Sequence, residues 1–215
     1  TDADYNIAVG YNALTADTLG SRSVAIGVGT LEAQNFTSAT DTYNIAIGHG
    51  AGSAVTTGRQ NTLIGALAGD ALTDADFNIA IGKSSLSADT LGNRSVAIGH
   101  SALATQNFTS ATDTYNTAVG HGAGNQVTTG TQNTLIGGLA GDAITTADDN
   151  TAVGYQALSA NTTGGNNVAV GKEALTSNTT ANDNVAIGLQ ALRVNTTGAS
   201  NVAIGRDALE ANTTA

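Results

Sequence analysis

Three histidines, His49, His100 and His121, each lie five residues after the Asn or Ser that opens a recurring motif. Around a three-fold axis such a place would gather three imidazoles, a ligand set for a transition metal or an anion. No carboxylate set recurs with them, and Tyr11, Lys83, Leu189 and Arg206 hold the same place in other copies. A solvated turn position is therefore expected. Aspartates at Asp2 and Asp4, Asp74 and Asp76, and Asp148 and Asp149 offer the hard oxygen ligands that Ca2+ takes. The glycine-rich calcium repeat is absent around them, so they read as turn formers. Ca2+ is the single cofactor these residues could suggest, and the expectation is no cofactor.

Two other arrays could act on a ligand. Thr pairs recur at Thr56-Thr57, Thr128-Thr129, Thr162-Thr163, Thr179-Thr180, Thr196-Thr197 and Thr213-Thr214. A flat Thr array on a stacked fold can bind ice, although Leu19 and Phe36 break the file early in the chain. Asn161, Asn178, Asn195 and Asn212 each open an Asn-x-Thr triplet, the glycosylation acceptor pattern. They coincide with a turn motif, and no glycan is expected. Phe36 and Phe108 lie in the segment QNFTSATDTY, at 34–43 and 106–115, with Tyr43 and Tyr115 at its end. Two readings stay open for these four aromatics. They form a bulge that stacks on a glycan or contacts a partner, or they plug the segment against its own backbone.

Nothing here assembles an enzyme. There is no cysteine nucleophile, no Ser/His/Asp grouping at an elbow, no phosphate loop and no paired carboxylates. Seven Lys and Arg stand against seventeen Asp and Glu, for a net charge of −10. That balance argues against binding nucleic acid or an anionic membrane surface. No apolar run is long enough to insert in a membrane as a helix.

What positions all of these residues is a repeat. The motif Asn-Val-Ala-Ile-Gly, with close variants, starts at Asn6, Ser23, Asn44, Asn61, Asn78, Ser95, Asn116, Asn133, Asn150, Asn167, Asn184 and Asn201. The interval is 17 residues, except for 21 after Ser23 and after Ser95. Residues 1–72 and 73–144 are near copies, and 145–215 repeats uniformly. We number places in the unit from the Asn as place 1. Such a period marks a solenoid, in which each unit packs only on its neighbours. The lack of proline suits a chain whose N–H groups are spent in ladders.

The β-branched residues at places 2 and 4 favour a strand, and Gly at place 5 follows it in every copy as a bend. The pair at places 8 and 9, as in Ala157-Leu158, suggests a second short strand. Asn-Thr-Thr-Gly then turns the chain back. The expected fold is all-β: a parallel β-solenoid of about twelve coils with two strands each, over 1–215, with coils about 4.8 Å apart. Where Gly52, Gly69, Gly124 and Gly141 replace Leu at place 9, place 12 becomes Val55, Leu72, Val127 and Ile144. This compensation indicates that both places share one core. The Asn column at place 1 is expected to form a stacked hydrogen-bond ladder. Strand residues are apolar on both faces, and such a strand is buried on both. The expectation puts Val and Ile in the coil interior and Ala against a second chain. A homotrimer through the Ala/Ile/Val strands follows.

The copies SVAIG at 23–27 and 95–99 and NVAIG at 184–188 and 201–205 resemble the head of YadA-like trimeric autotransporter adhesins. The run NTAVGYQALSANTTGGNNVAVGKEAL at 150–175 is also similar to repeats of bacteriophage tail fibres. The departure is the period, 17 here against 14 to 16 residues in those heads. The resemblance implies a left-handed β-roll, a trimer, and an extracellular fibre of a virion tail or bacterial surface, contacting a cell-surface glycan or protein receptor. It brings no catalytic residues. An ice-binding or calcium-dependent solenoid is the alternative.

Overall fold

The structure is a computed structural model and describes residues 3–214. Asp2, one of the calcium candidates, lies outside the described residues. The described chain is all-β, a parallel β-solenoid, and its contacts divide it into two compact units, 1–114 and 115–215. The first unit holds β1 (Ile7–Val9), β2 (Gly20–Ser21), β3 (Val24–Ile26), β4 (Thr40–Asp41), β5 (Ile45–Ile47), β6 (Thr62–Ile64), β7 (Ile79–Ile81), β8 (Gly92–Asn93), β9 (Val96–Ile98) and β10 (Thr112–Asp113). The second holds β11 (Thr117–Val119), β12 (Thr134–Ile136), β13 (Thr151–Val153), β14 (Val168–Val170), β15 (Val185–Ile187) and β16 (Val202–Ile204).

Strands at places 2–4 pair in parallel with the equivalent strand one coil on, place against place. Ile7 faces Val24, Ala8 faces Ala25 and Val9 faces Ile26. The register survives the 21-residue coil, where Val24 faces Ile45. The four additional residues therefore leave the ladder undisturbed. They are accommodated beside it, where β2 pairs β4 and β8 pairs β10.

Place 5 shows why glycine is required. Its φ runs from 125 to 142°, outside what a side chain tolerates. A Cβ on Gly48 would also stand 2.7 Å from the carbonyl of Gly65 on the next coil, and one on Gly65 would stand 2.6 Å from the carbonyl of Gly82. The bend lets adjacent backbones touch.

The Asn column is a buried ladder. The Asn167 backbone N–H donates to Asn150 Oδ1 at 3.0 Å, and its Nδ2 donates to the same oxygen at 3.2 Å and to Ala181 O at 2.9 Å. Each carboxamide thus joins two coils and ties the start of its own coil to place 15. Ser23 and Ser95 are too short for this task. In those coils the Gln of the insert takes over: Gln34 Nε2 donates to Ser23 Oγ at 3.0 Å and to Asp17 Oδ2 at 2.7 Å, while Asn44 Nδ2 donates to Gln34 Oε1 at 2.8 Å.

Two expectations are corrected. First, Ala at place 3 points into the coil, fully buried at Ala25, Ala46, Ala80, Ala97, Ala118, Ala152, Ala169 and Ala186, whereas places 2 and 4 face outward. The reason is volume. The coil is thin, and Leu from place 9 already fills it, as at Leu31, Leu86, Leu103, Leu158, Leu175 and Leu192. Only a methyl fits opposite. In two of the four coils with Gly at place 9, place 3 enlarges to Leu63 and Leu135, while the other two keep Ala46 and Ala118. A Cβ on Gly69 would meet Leu63 Cδ2 at 2.8 Å, one on Gly52 of the preceding coil would meet Leu63 Cδ1 at 2.7 Å, and one on Gly141 would meet Leu135 Cδ2 at 2.7 Å. Val55, Leu72, Val127 and Ile144 at place 12 are buried as the compensation requires. Second, places 8 and 9 form no strand. Places 7 and 9 are left-handed, with φ 55° at Gln156 and 57° at Leu158. Inter-coil bonds nevertheless continue there, the Leu158 N–H donating to Ala174 O at 2.9 Å.

Leu63→Ala is expected to cost about 2–5 kcal/mol, because glycines beside it cannot refill the space. Leu67→Ala, on the exposed side of the turn, is expected to cost under about 1 kcal/mol. Urea midpoints of the two variants check the contrast.

Candidate functional site

The outward side of the sheet is an apolar feature of the surface of each unit. Places 2 and 4 present two files of β-branched side chains, one coil apart along each unit. Ile26, Ile45, Ile79, Ile136 and Ile187 are each 37–39% exposed, the remainder being covered by the coils above and below. Thr62, Thr117, Thr134 and Thr151 interrupt the place-2 file with hydroxyls. The two files hold only Val, Ile and Thr and carry no charge. The chemistry of this face is contact rather than reaction.

Beside it runs the last residue of each coil, place 17 or, in the 21-residue coils, place 21, which is left-handed and exposed from Tyr5 to Ser200. Rings and cations follow one another here at Tyr5, Arg22 and Tyr43 and again at Phe77 and Arg94. The Arg22 guanidinium lies over Tyr5 at 5.1 Å and over Tyr43 at 5.8 Å. It pairs with Asp41 at 2.9 Å, and the Tyr43 hydroxyl donates to Asp41 Oδ2 at 3.3 Å. The duplicate repeats this: Arg94 lies over Phe77 at 4.7 Å and pairs with Asp113 at 3.0 Å. Solvent screens such exposed stacks and pairs, so they orient the side chains more than they stabilise the fold. They turn Tyr5 and Tyr43 ring faces toward the guanidinium, along the stack.

Of the four insert aromatics, Phe36 and Phe108 are 7% exposed and face their own coil, while Tyr43 and Tyr115 are 51% and 54% exposed. The structure therefore separates them into two packing residues and two surface residues. The signal in sequence is position: both Tyr are the last residue of their 21-residue coil, directly before the Asn of the next, and both Phe lie seven residues earlier. His49, His100 and His121 are exposed at the turn after the strand. Among the described residues no cluster of three or more His, Asp or Glu could hold a metal ion, and no cavity is found. The paired aspartates serve the turns. Asp148 Oδ1 accepts from the Thr131 N–H at 2.6 Å and from Thr131 Oγ1 at 3.0 Å, and Asp76 Oδ1 accepts from the Arg59 N–H at 2.7 Å.

The threonine pairs divide their labour. At place 13 the hydroxyl donates to the next coil's carbonyl, as from Thr145 to Thr162 O at 3.0 Å. At place 14, Thr129, Thr146, Thr163, Thr180, Thr197 and Thr214 are exposed in one unbroken file. The Asn-x-Thr acceptor amides are spent internally: Asn161, Asn178 and Asn195 are buried, and Asn161 Nδ2 donates to Gly164 O at 2.8 Å.

Sequence reasoning missed three carboxyls. Asp89 is fully buried beneath the insert, where Oδ2 accepts from Gln106 Nε2 at 2.6 Å and Oδ1 from the Phe108 and Gly92 N–H groups at 3.1 Å each. Burial pushes its carboxyl up, partly offset by those bonds. Asp70 and Asp142, at place 10 of the two Leu-bearing coils, are also pushed up by burial, and Oδ1 of each has no hydrogen-bond partner. For Asp70 and Asp142 the signal was repetition at place 10 of the tandem copies.

Comparison with known protein families, with curated proteins and with solved structures gives no significant match. The class defined by fold and surface is thus a parallel β-solenoid with an outward β-branched face.

The three raised carboxyls set a pH dependence. A carboxyl whose folded pKa lies above its unfolded value favours folding when protonated. That contribution is complete below the ordinary Asp value of about 4 and is lost as pH rises through the folded value. The melting temperature is expected to be higher near pH 4.5 than at pH 7. The triple variant Asp70→Asn, Asp89→Asn, Asp142→Asn should show a smaller gain, which calorimetry at both pH values would measure.

Proposed function

We propose that the chain is a non-catalytic structural and adhesive segment of a homotrimeric extracellular fibre. The observation that carries this is the pair of outward Ile/Val files on the strands. A flat apolar stripe of this length is an interaction surface rather than a resting surface. Its width favours three-fold symmetry. With two files per protomer, the place-2 file of one chain can meet the place-4 file of the next, and three such contacts close a ring. The interface is formed by the Ile and Val side chains, since Ala is committed to the coil interior.

The repeats similar to YadA-like adhesin heads and to phage tail fibres support an extracellular setting, on a virion tail or a bacterial surface. In that role Tyr43 and Tyr115, standing out beside the inserts, are the residues offered to a cell-surface glycan or protein receptor. Light scattering coupled to size exclusion tests the assembly. The chain should elute at three times its mass. Ile79→Lys with Ile136→Lys should yield monomers that keep the β circular dichroism. A wild-type monomer would sink the reading.

One observation favours a second reading, the unbroken place-14 Thr file of the second unit. Regular hydroxyls and methyls on rigid coils could order water as ice does. Thermal hysteresis that disappears in Thr163→Lys would favour ice binding, and a fibre segment should show none.

A further inference from the structure

The two 21-residue coils each bury a hydroxyl against a carboxamide and a carboxyl. They are the two coils whose motif opens on Ser rather than Asn, and each carries Gln at place 12 where the coil before it carries Asp. In the first, Ser23, Gln34, Thr42 and Asn44 are fully buried. Ser23 Oγ stands 3.0 Å from Gln34 Nε2 and 3.5 Å from Gln34 Oε1, so it faces the carbon between them. Thr42 Oγ1 holds the hydroxyl from another side. The second coil repeats the set within the same unit: Ser95, Gln106, Thr114 and Asp89 are fully buried. There Ser95 Oγ lies 2.8 Å from Gln106 Nε2 and 2.7 Å from Thr114 Oγ1.

Each neighbour has a use in acyl transfer. Gln34 Oε1 accepts from Asn44 Nδ2 at 2.8 Å, a donor placed where negative charge develops when a nucleophile adds to the carboxamide. Gln34 Nε2 donates to Asp17 Oδ2 at 2.7 Å, and Gln106 Nε2 to Asp89 Oδ2 at 2.6 Å. A carboxylate there stabilises positive charge on the nitrogen as it gains a proton and leaves. Burial pushes the Asp89 carboxyl up, which makes it the stronger base toward that nitrogen. A fixed, water-free site gives the hydroxyl the high effective concentration that an unactivated amide requires, and it shields the product from hydrolysis.

We propose that Ser23 with Gln34, and Ser95 with Gln106, form ester cross-links within the chain. Ser Oγ bonds to Gln Cδ, the Cδ–Nε2 bond breaks, the hydroxyl proton passes to Nε2, and ammonia leaves. The step is an acyl transfer and uses no oxidant, reductant or co-reactant. It happens once at each site and does not depend on lateral assembly. It secures by covalent bonds the two coils in which the Asn column is interrupted.

The test is the intact mass of the purified 215-residue chain. The wild type should fall short of its sequence mass by two ammonias, Ser23→Ala and Ser95→Ala by one each, and the double variant by none. After refolding, Asp89→Asn should lose the ammonia of the Ser95 site roughly tenfold or more slowly, with the Ser23 site unchanged. Circular dichroism checks that the variants fold. A further readout needs no variant: after denaturation and cleavage behind Glu32, the segments carrying Ser23 and Gln34 should stay joined. Hydroxylamine should then part them and leave Gln34 as a hydroxamate. A wild type at full sequence mass, an ammonia loss that persists in the double Ser variant, or segments that separate without hydroxylamine overturns the inference.

Discussion

Everything in this molecule depends on one constraint: each coil must hydrogen-bond the next at the spacing of a parallel sheet, all the way round. That spacing brings the bends within touching distance. It forces glycine at place 5, where a Cβ on Gly82 would lie 2.6 Å from the Gly99 carbonyl. It also rewards a side chain that can bridge adjacent levels without changing shape. Asn does so at place 1, accepting a backbone N–H from the next coil while donating across its own. A buried carboxamide is costly when unpaired, so a ladder in which each is paired rigidifies the stack and rejects slipped registers.

A thin coil makes the interior a problem of volume exchange. Place 9 supplies Leu, place 3 supplies Ala, and each limits the other. In the coils of Gly69 and Gly141 the balance tips across the core to Leu63 and Leu135, with Leu72 and Ile144 filling the remaining space, and the coils of Gly52 and Gly124 rely on Val55 and Val127. The same economy explains the inserts. They carry a Gln that takes up the bonds of the missing Asn, and in the second insert the Phe108 N–H also donates to Asp89. In the first insert, where Val24 faces Ile45, the longer coil keeps the strand register of its neighbours.

The outward face follows from the inward one. Once the interior is satisfied by Ala and Leu, the β-branched residues that favour the strand must point out. Each unit then carries two outward files of Ile, Val and Thr on the side of the sheet away from the core.

The period, the bend at each Gly, the Asn ladder and the pairing of places 9 and 12 could be read directly from the sequence. Each is a local rule repeated at fixed spacing, and repetition turns a weak preference into a firm one. Tertiary structure alone decided which strand face lies inside. Val-Ala-Ile is apolar on both sides, so alternation carries no direction, and only the space left by Leu at place 9 selects Ala. It also decided that Ala157-Leu158 turns rather than extends: inter-coil bonds hold Leu158 at a left-handed φ of 57° that its local preference opposes. The burial of Phe36 and Phe108, against the exposure of Tyr43 and Tyr115, and the desolvated carboxyls of Asp70, Asp89 and Asp142, likewise depend on neighbours 17 to 21 residues away, which composition and local pattern do not register.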